Sequence, residues 1–186
     1  MFQQGVEDCI AEALGQYMGL DLSDPNLIDT PKRIAKMWCN EFCKNVGVEF
    51  KDYSCFPNNK GYDQIIVSDT IEFVSMCSHH FLPFSGKAWI AYMPEKKLVG
   101  ASKMTRVTQH YAARPQLQEN LCHEILHNFV REIEPLGCMI IMKATHGCMA
   151  CRGVNQPNQK MTTSAVYGLA KELSFKEEVF NLIKLP

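Results

Sequence analysis

Two short clusters of soft metal donors stand out in the chain: Cys77-Ser78-His79-His80 and His146-Gly147-Cys148. A thiolate and an imidazole with two residues between them can converge on one tetrahedral ion, a pairing that suits zinc. Cys77 and His80 form such a pair, and Cys148 offers a third soft ligand. Three protein ligands leave one coordination position for water, the arrangement of a hydrolytic zinc centre. His79 and His146 would then stand beside that water as proton carriers.

Two other metal readings compete. Adding Cys151 closes the set as Cys77, His80, Cys148 and Cys151, a four-ligand structural site in a non-catalytic binding module. Spacing alone allows both. Closed sites in small modules hold their halves within about 12 to 20 residues, and the wide separation here favours the open site. The third reading is a literal HExxH, His123-Glu124-Ile125-Leu126-His127, the zinc-protease signature. On a helix His123 and His127 share a face with Asn120, Glu124 and Arg131, while Leu117, Leu121, Ile125 and Phe129 line the other side. No third ligand follows, and no carboxylate occurs between Glu134 and Glu172, so the match reads as chance on a polar helix face.

The elements that must position these residues divide the chain into an N-terminal helical region with its connecting loop, 1–60, and a catalytic domain, 61–186. Val6, Ile10, Leu14, Tyr17 and Met18 recur at helical spacing over 6–20. A second helix starts near Asp29-Thr30-Pro31, a cap followed by proline in the first turn. Residues 45–63 read as loop. Runs at 65–67, 71–74, 88–92 and 138–142 predict strands. Pro115 opens a long helix to about Glu132, and 164–183 carries a final helical pattern. The expected class is α+β: an antiparallel sheet with two long helices, preceded by N-terminal helices.

Composition narrows the function classes. Hydrophobic residues make up 46% and charged residues 21% of the 186, ordinary for a soluble globular chain. A formal net charge of −1 advertises no nucleic-acid partner, so an anionic ligand must meet a local cluster of Lys and Arg. No apolar run approaches the roughly 18 residues of a membrane span, and the N-terminus lacks the basic-then-apolar pattern of a signal peptide. The nine cysteines, odd in number and irregularly spaced, read as reduced cytoplasmic thiols with a minority binding metal.

Five blocks, in order, resemble the GTP cyclohydrolase I family: Asp29-Thr30-Pro31-Lys32-Arg33 through Trp38; Cys77-Ser78-His79-His80-Phe81-Leu82-Pro83-Phe84; Val99-Gly100-Ala101-Ser102-Lys103 with Arg106; Arg114-Pro115-Gln116-Leu117-Gln118-Glu119; and Ala144-Thr145-His146-Gly147-Cys148-Met149 with Arg152-Gly153-Val154. The resemblance implies zinc on Cys77, His80 and Cys148. It implies hydrolytic opening of the guanine ring of GTP, loss of formate, and an Amadori rearrangement to 7,8-dihydroneopterin triphosphate. His79 matches the acid at N7, His146 the second catalytic histidine, and Ser102 the residue of the rearrangement. Glu119, with Gln118 close by, would accept from the guanine N1 and N2 donors; Lys103, Arg106, Arg152 and Arg33 would hold the triphosphate. The fold implied is the tunnelling fold, a homodecamer whose sites lie between subunits, with zinc shell and guanine anchor on different chains. Ser78 departs from the family's Glu and would orient a neighbouring imidazole more weakly. A related tunnelling-fold enzyme acting on another purine or pterin is the remaining rival.

Overall fold

The computed structural model describes residues 2–184. α1 (Phe2–Glu12) runs on through a π-helical turn, Ala13–Tyr17, and α2 (Thr30–Met37) likewise continues as Trp38–Phe42. Pro31 sits in the first turn of α2, where its missing N–H costs no hydrogen bond. α1 and α2 pack on each other, and Asn40 donates to Gln3 Oε1 at 3.2 Å across them.

The strands are β1 (Cys55–Pro57), β2 (Ile66–Val67), β3 (Ile71–Cys77), β4 (Pro83–Met93), β5 (Lys97–Val99), β6 (Pro115–Gln116), β7 (Gly137–His146) and β8 (Met161–Gly168). Five of them form the main sheet in the order β6-β3-β4-β7-β8, antiparallel except for the β3–β6 pair, and β2 also pairs with β4. β1 and β5 make a small separate ribbon.

Alternate residues of β4 and β7 face opposite sides of the sheet, and both sides are covered. Ile90, Tyr92, Ile140 and Met142 enter the main core. There they meet α3 (Ala101–Ala112), through Met104, Val107 and Tyr111, and α4 (Gln118–Ile133), through Leu121, Ile125 and Phe129. Ala91, Met139 and Ile141 face the other way, under Phe175 and Val179 of α6 (Leu173–Ile183). Burial on both faces explains why 138–142 is an unbroken apolar run rather than an alternation. Truncating Ile125, which is fully buried, would cost about 2–5 kcal/mol.

The α+β class expected from sequence is what the chain forms. Several boundaries move. The helix expected over 164–183 begins only at Leu173, because Thr162-Thr163-Ser164 pairs with β7 as part of β8. The second long helix against the sheet is instead α3. Pro115 lies in β6, and α4 starts at Gln118. The loop expected over 45–63 contains β1, and Phe50 within it is buried in the core.

Candidate active site

Sheet register brings the two donor clusters together. β3 ends at Cys77, Met76 pairs with Pro83 of β4, and Phe84 pairs with His146 at the end of β7. Gly147 then starts α5, a single turn (Gly147–Ala150) that carries Cys148. A Cβ on Gly147 would lie 2.8 Å from the Pro83 carbonyl oxygen. Glycine is therefore what lets this turn close against β4.

Between β3 and β4 the chain reverses at Ser78–Leu82. The Phe81 N–H donates to the Cys77 carbonyl and the Cys77 N–H to the Leu82 carbonyl, each at 2.9 Å. Phe81 takes a left-handed conformation (φ 51°), uncommon for an aromatic residue, and its ring meets Trp38 edge-on at 5.6 Å. The reversal leaves Ser78, His79 and His80 exposed beside the buried Cys77.

Cys77 Sγ, one ring nitrogen of His80 and Cys148 Sγ all lie within 4.8 Å of one another, the only such group of three among the described residues. Cys77 Sγ is 4.0 Å from His80 Nδ1. Ligand bond lengths near 2.0–2.3 Å imply tetrahedral edges of about 3.5–3.8 Å, so the donor set needs only a small contraction to grip a zinc-sized ion. Burial and the neighbouring Cys77 thiol raise the pKa of Cys148, the like-charge opposition that a divalent cation between two thiolates would relieve. Cys151 lies outside the group; it is exposed, and its thiol donates to the Gly147 carbonyl at 2.8 Å.

His146 stands two residues before Cys148 and is fixed on two sides. Its ring stacks on Phe84 with centroids 4.7 Å apart and 3° between planes. Its Nε2 lies 2.9 Å from Oε1 of Gln118. Burial pulls its pKa below the ordinary histidine value, opposed by the carboxylate of Glu119. Glu119 is exposed in the first turn of α4. Glu119, expected to anchor guanine, is thus near enough to His146 of the same chain to act on its ring. Gln118, expected to contact substrate, is instead completely buried, and its amide is spent inside the protein.

Apart from Arg152, the residues expected to handle phosphate and rearrangement lie elsewhere. Ser102 is exposed in the first turn of α3. Lys103 Nζ is 2.7 Å and Arg106 2.9 Å from the two carboxylate oxygens of Asp52. These bonds, that of Lys103 first, hold the Asp52 carboxyl below its usual range. α3 begins where the Gly100 N–H meets the Ser54 carbonyl and the Val99 N–H meets the Tyr92 hydroxyl. Tyr92 is far along β4 from Phe84, roughly 27 Å at the rise of a strand. One chain therefore places the metal cluster and the Ser102-Lys103-Arg106 set toward opposite ends of the sheet. Arg152 is exposed just past α5, near enough to Cys148 to act on its thiol. Arg33, exposed on α2, pairs with Asp29 at 3.3 Å.

Asp52 and Phe84 were not singled out by sequence reasoning as site residues. Nothing in spacing ties Asp52 to α3, and Phe84 is one more aromatic in a β run. The HExxH histidines do share a face of α4, with ring centroids 4.3 Å apart, beside a surface cavity of about 620 Å³. Glu124 is bound there to Arg114 at 2.9 Å, and no third donor joins the pair among the described residues. Nor is any described helix long and apolar enough to cross a membrane.

Residues 6–184 match the GTP cyclohydrolase I family. Curated relatives named GTP cyclohydrolase 1 include that of Hydrogenobaculum sp. (strain Y04AAS1), 41% identical over 168 residues and 90% of both chains. The one from Aquifex aeolicus (strain VF5) is 39% identical over 90% of this chain and 89% of its own. That of Bacillus subtilis (strain 168) is 38% identical over 180 residues and 94% of both. A solved structure described as the archaeosine synthase QueF-Like in the apo form aligns with 56% of this chain and 93% of its own, with TM-score 0.47 and 14% identity.

Proposed function

This chain belongs to the GTP cyclohydrolase I family and is an enzyme of that type, and we propose that it converts GTP to 7,8-dihydroneopterin triphosphate and formate at a zinc site held by Cys77, His80 and Cys148. The observation that carries the proposal is the convergence of those three donors beside His146 and the exposed His79. Bound zinc would supply Lewis acidity, making hydroxide available at neutral pH for attack on C8, a poor electrophile.

The chain's own residues do the rest. His79 would protonate N7, raising the electrophilicity of C8. His146 would carry protons as the ribose opens, and Ser102 would serve the rearrangement. Glu119 would accept from the guanine N1–H and N2–H donors, a pair adenine lacks, and so select the base. Lys103, Arg106, Arg152 and Arg33 would hold the triphosphate, the arginines bidentately.

The separation of the Ser102-Lys103-Arg106 set from the metal cluster supports a shared site, in which the phosphate end of one chain meets the metal end of another. That agrees with a tunnelling-fold homo-oligomer, a decamer in this reading, working in the cytoplasm with reduced thiols and no nucleic-acid or membrane partner. The position of Cys151 outside the donor group weighs against the closed four-ligand site.

The test is to incubate the zinc-loaded protein with GTP and assay formate together with pterin fluorescence after oxidation, beside Cys148→Ala and a chelated sample. Both products from the untreated protein alone is the expected result. A zinc-replete oligomer that releases neither would overturn the proposal.

A further inference from the structure

Gln118 sits at the start of α4 and has no exposed surface. Its amide nitrogen lies 3.2 Å from the Met142 carbonyl, 3.2 Å from the Met161 carbonyl and 3.0 Å from Thr163 Oγ1. Two of these neighbours are carbonyl oxygens, which can only accept. The reversed amide would set its own oxygen against both, leaving buried acceptors facing acceptors. The orientation is therefore decided by β7 and β8, and it points Oε1 at His146 Nε2, 2.9 Å away.

From this geometry we infer that Gln118 is a positioning residue that fixes the tautomer of His146, rather than a contact for guanine. An amide oxygen facing Nε2 requires Nε2 to carry the hydrogen, so the neutral ring keeps its lone pair on Nδ1. The same bond prevents the imidazole from turning over, since that would put a carbon-bound hydrogen against Oε1. Phe84, stacked parallel beneath the ring, holds its plane. His146 thus meets its surroundings with a single proton-accepting nitrogen, Nδ1. Both amide hydrogens and the amide oxygen of Gln118 are engaged internally, which leaves its side chain no group for a substrate. Base recognition then falls to Glu119, the next residue, whose side chain is exposed.

The inference rests on reading His146 as a proton carrier, and the test separates the two. Protein labelled with ¹⁵N-histidine is examined without substrate by solid-state NMR, with the His146 signals assigned by difference from His146→Asn. Wild type should show a protonated Nε2 and a bare Nδ1. Gln118→Met, of similar volume but with no amide, should lose that single tautomer. Its kcat should fall at least tenfold, out of the about 10²- to 10⁴-fold a placed proton carrier contributes, with KM for GTP unchanged. If the Met variant fails to assemble, the wild-type spectrum carries the test alone, since a bare Nε2 on His146 would overturn the inference. A raised KM with an unmoved tautomer in Gln118→Met would overturn it too. A wild type with the expected tautomer but no turnover would sink the cyclohydrolase proposal and leave the positioning intact.

Discussion

Arg106→Ala and Cys148→Ala each disable one end of the sheet, and assembling the two variants together asks whether a site is built from two chains. α3 spans roughly 17 Å at 1.5 Å per residue. Its far end meets the sheet near Met76, since Pro115, just beyond it, pairs there. Asp52, which holds both Lys103 and Arg106, is tied to the near end through Ser54 and Gly100. Ser102 and Lys103, in the first turn of α3, are thus most of a helix length from the Cys77 end, and Arg106, held back by Asp52, about half of one. Losing a charge-assisted bond from Arg106 to phosphate costs about 1.5–3 kcal/mol, roughly a 10- to 150-fold fall in kcat/KM. Cys148→Ala removes a proposed metal ligand outright. If each site draws its metal end from one chain and its phosphate end from a neighbour, random co-assembly leaves about one site in four with both ends intact. Activity should then rise to about a quarter of wild type, against a twentieth or less for the two variants assembled separately and pooled. The assay is formate release after co-refolding equal amounts of the two chains, with native mass spectrometry confirming mixed oligomers. Mixed oligomers with no gain over the pooled control would refute the shared site.

Cys151→Ser should hold as much zinc as wild type by metal analysis after gel filtration, because Cys151 stands outside the donor group; a lower metal content than wild type would restore the closed-site reading. Gly147→Ala sets a methyl 2.8 Å from the Pro83 carbonyl oxygen, and the displaced turn should cost about 1–3 kcal/mol in denaturant melts while weakening zinc retention against a chelator. The double change His123→Ala with His127→Ala should leave zinc content and turnover at wild-type levels; a drop in metal content would mean that the α4 pair is a ligand set after all. Burial pushes the Cys122 thiol up to about 12 from 9.0 and raises Cys138 in the same direction. A thiol with a raised folded pKa contributes stability that is whole below the unfolded value and is lost as pH climbs toward the folded one. Unfolding free energy should therefore fall between pH 9 and 11, and less steeply in Cys122→Ala when its own pH 8 value is the reference.

Some of this was legible in the sequence, and the reasons are physical. Cys77 and His80 are three residues apart on one reversal of the chain, so their convergence needs only local geometry. α4 announces itself through Leu121, Ile125 and Phe129 because its buried stripe is mostly apolar, with Gln118 and Asn128 the exceptions. α3 does not, since its buried face includes Lys103 and Thr108 as well as Met104, Val107 and Tyr111. Lys103 is tolerated there because Asp52 pairs with its ammonium, and such a partner cannot be read from residues half a hundred positions away. The strand β8 was hidden behind the helical spacing of Val166, Leu169 and Leu173. Only the pairing of Met142 with Thr163 settles it as strand, and pairing is a long-range fact.

The same distinction explains why one histidine motif gathers a three-donor set and the other, among the described residues, does not. His123 and His127 satisfy a local rule perfectly well, since four residues on a helix place two rings side by side. A metal centre with an open position needs a third donor, and a third donor has to come from another element. On the outer face of α4 the neighbouring chemistry is Arg114, Arg131 and the carboxylates that pair with them, a surface already neutralised. At the end of the sheet, three facts converge instead. The Met76–Pro83 and Phe84–His146 pairs set the two clusters at the same level, Gly147 lets the chain turn tightly against β4, and Cys148 follows at once. The site is thus a property of strand register. A one-residue slip between β4 and β7 would turn His146 to the other face of the sheet, away from Phe84 and Gln118, and carry Cys148 away from Cys77 and His80.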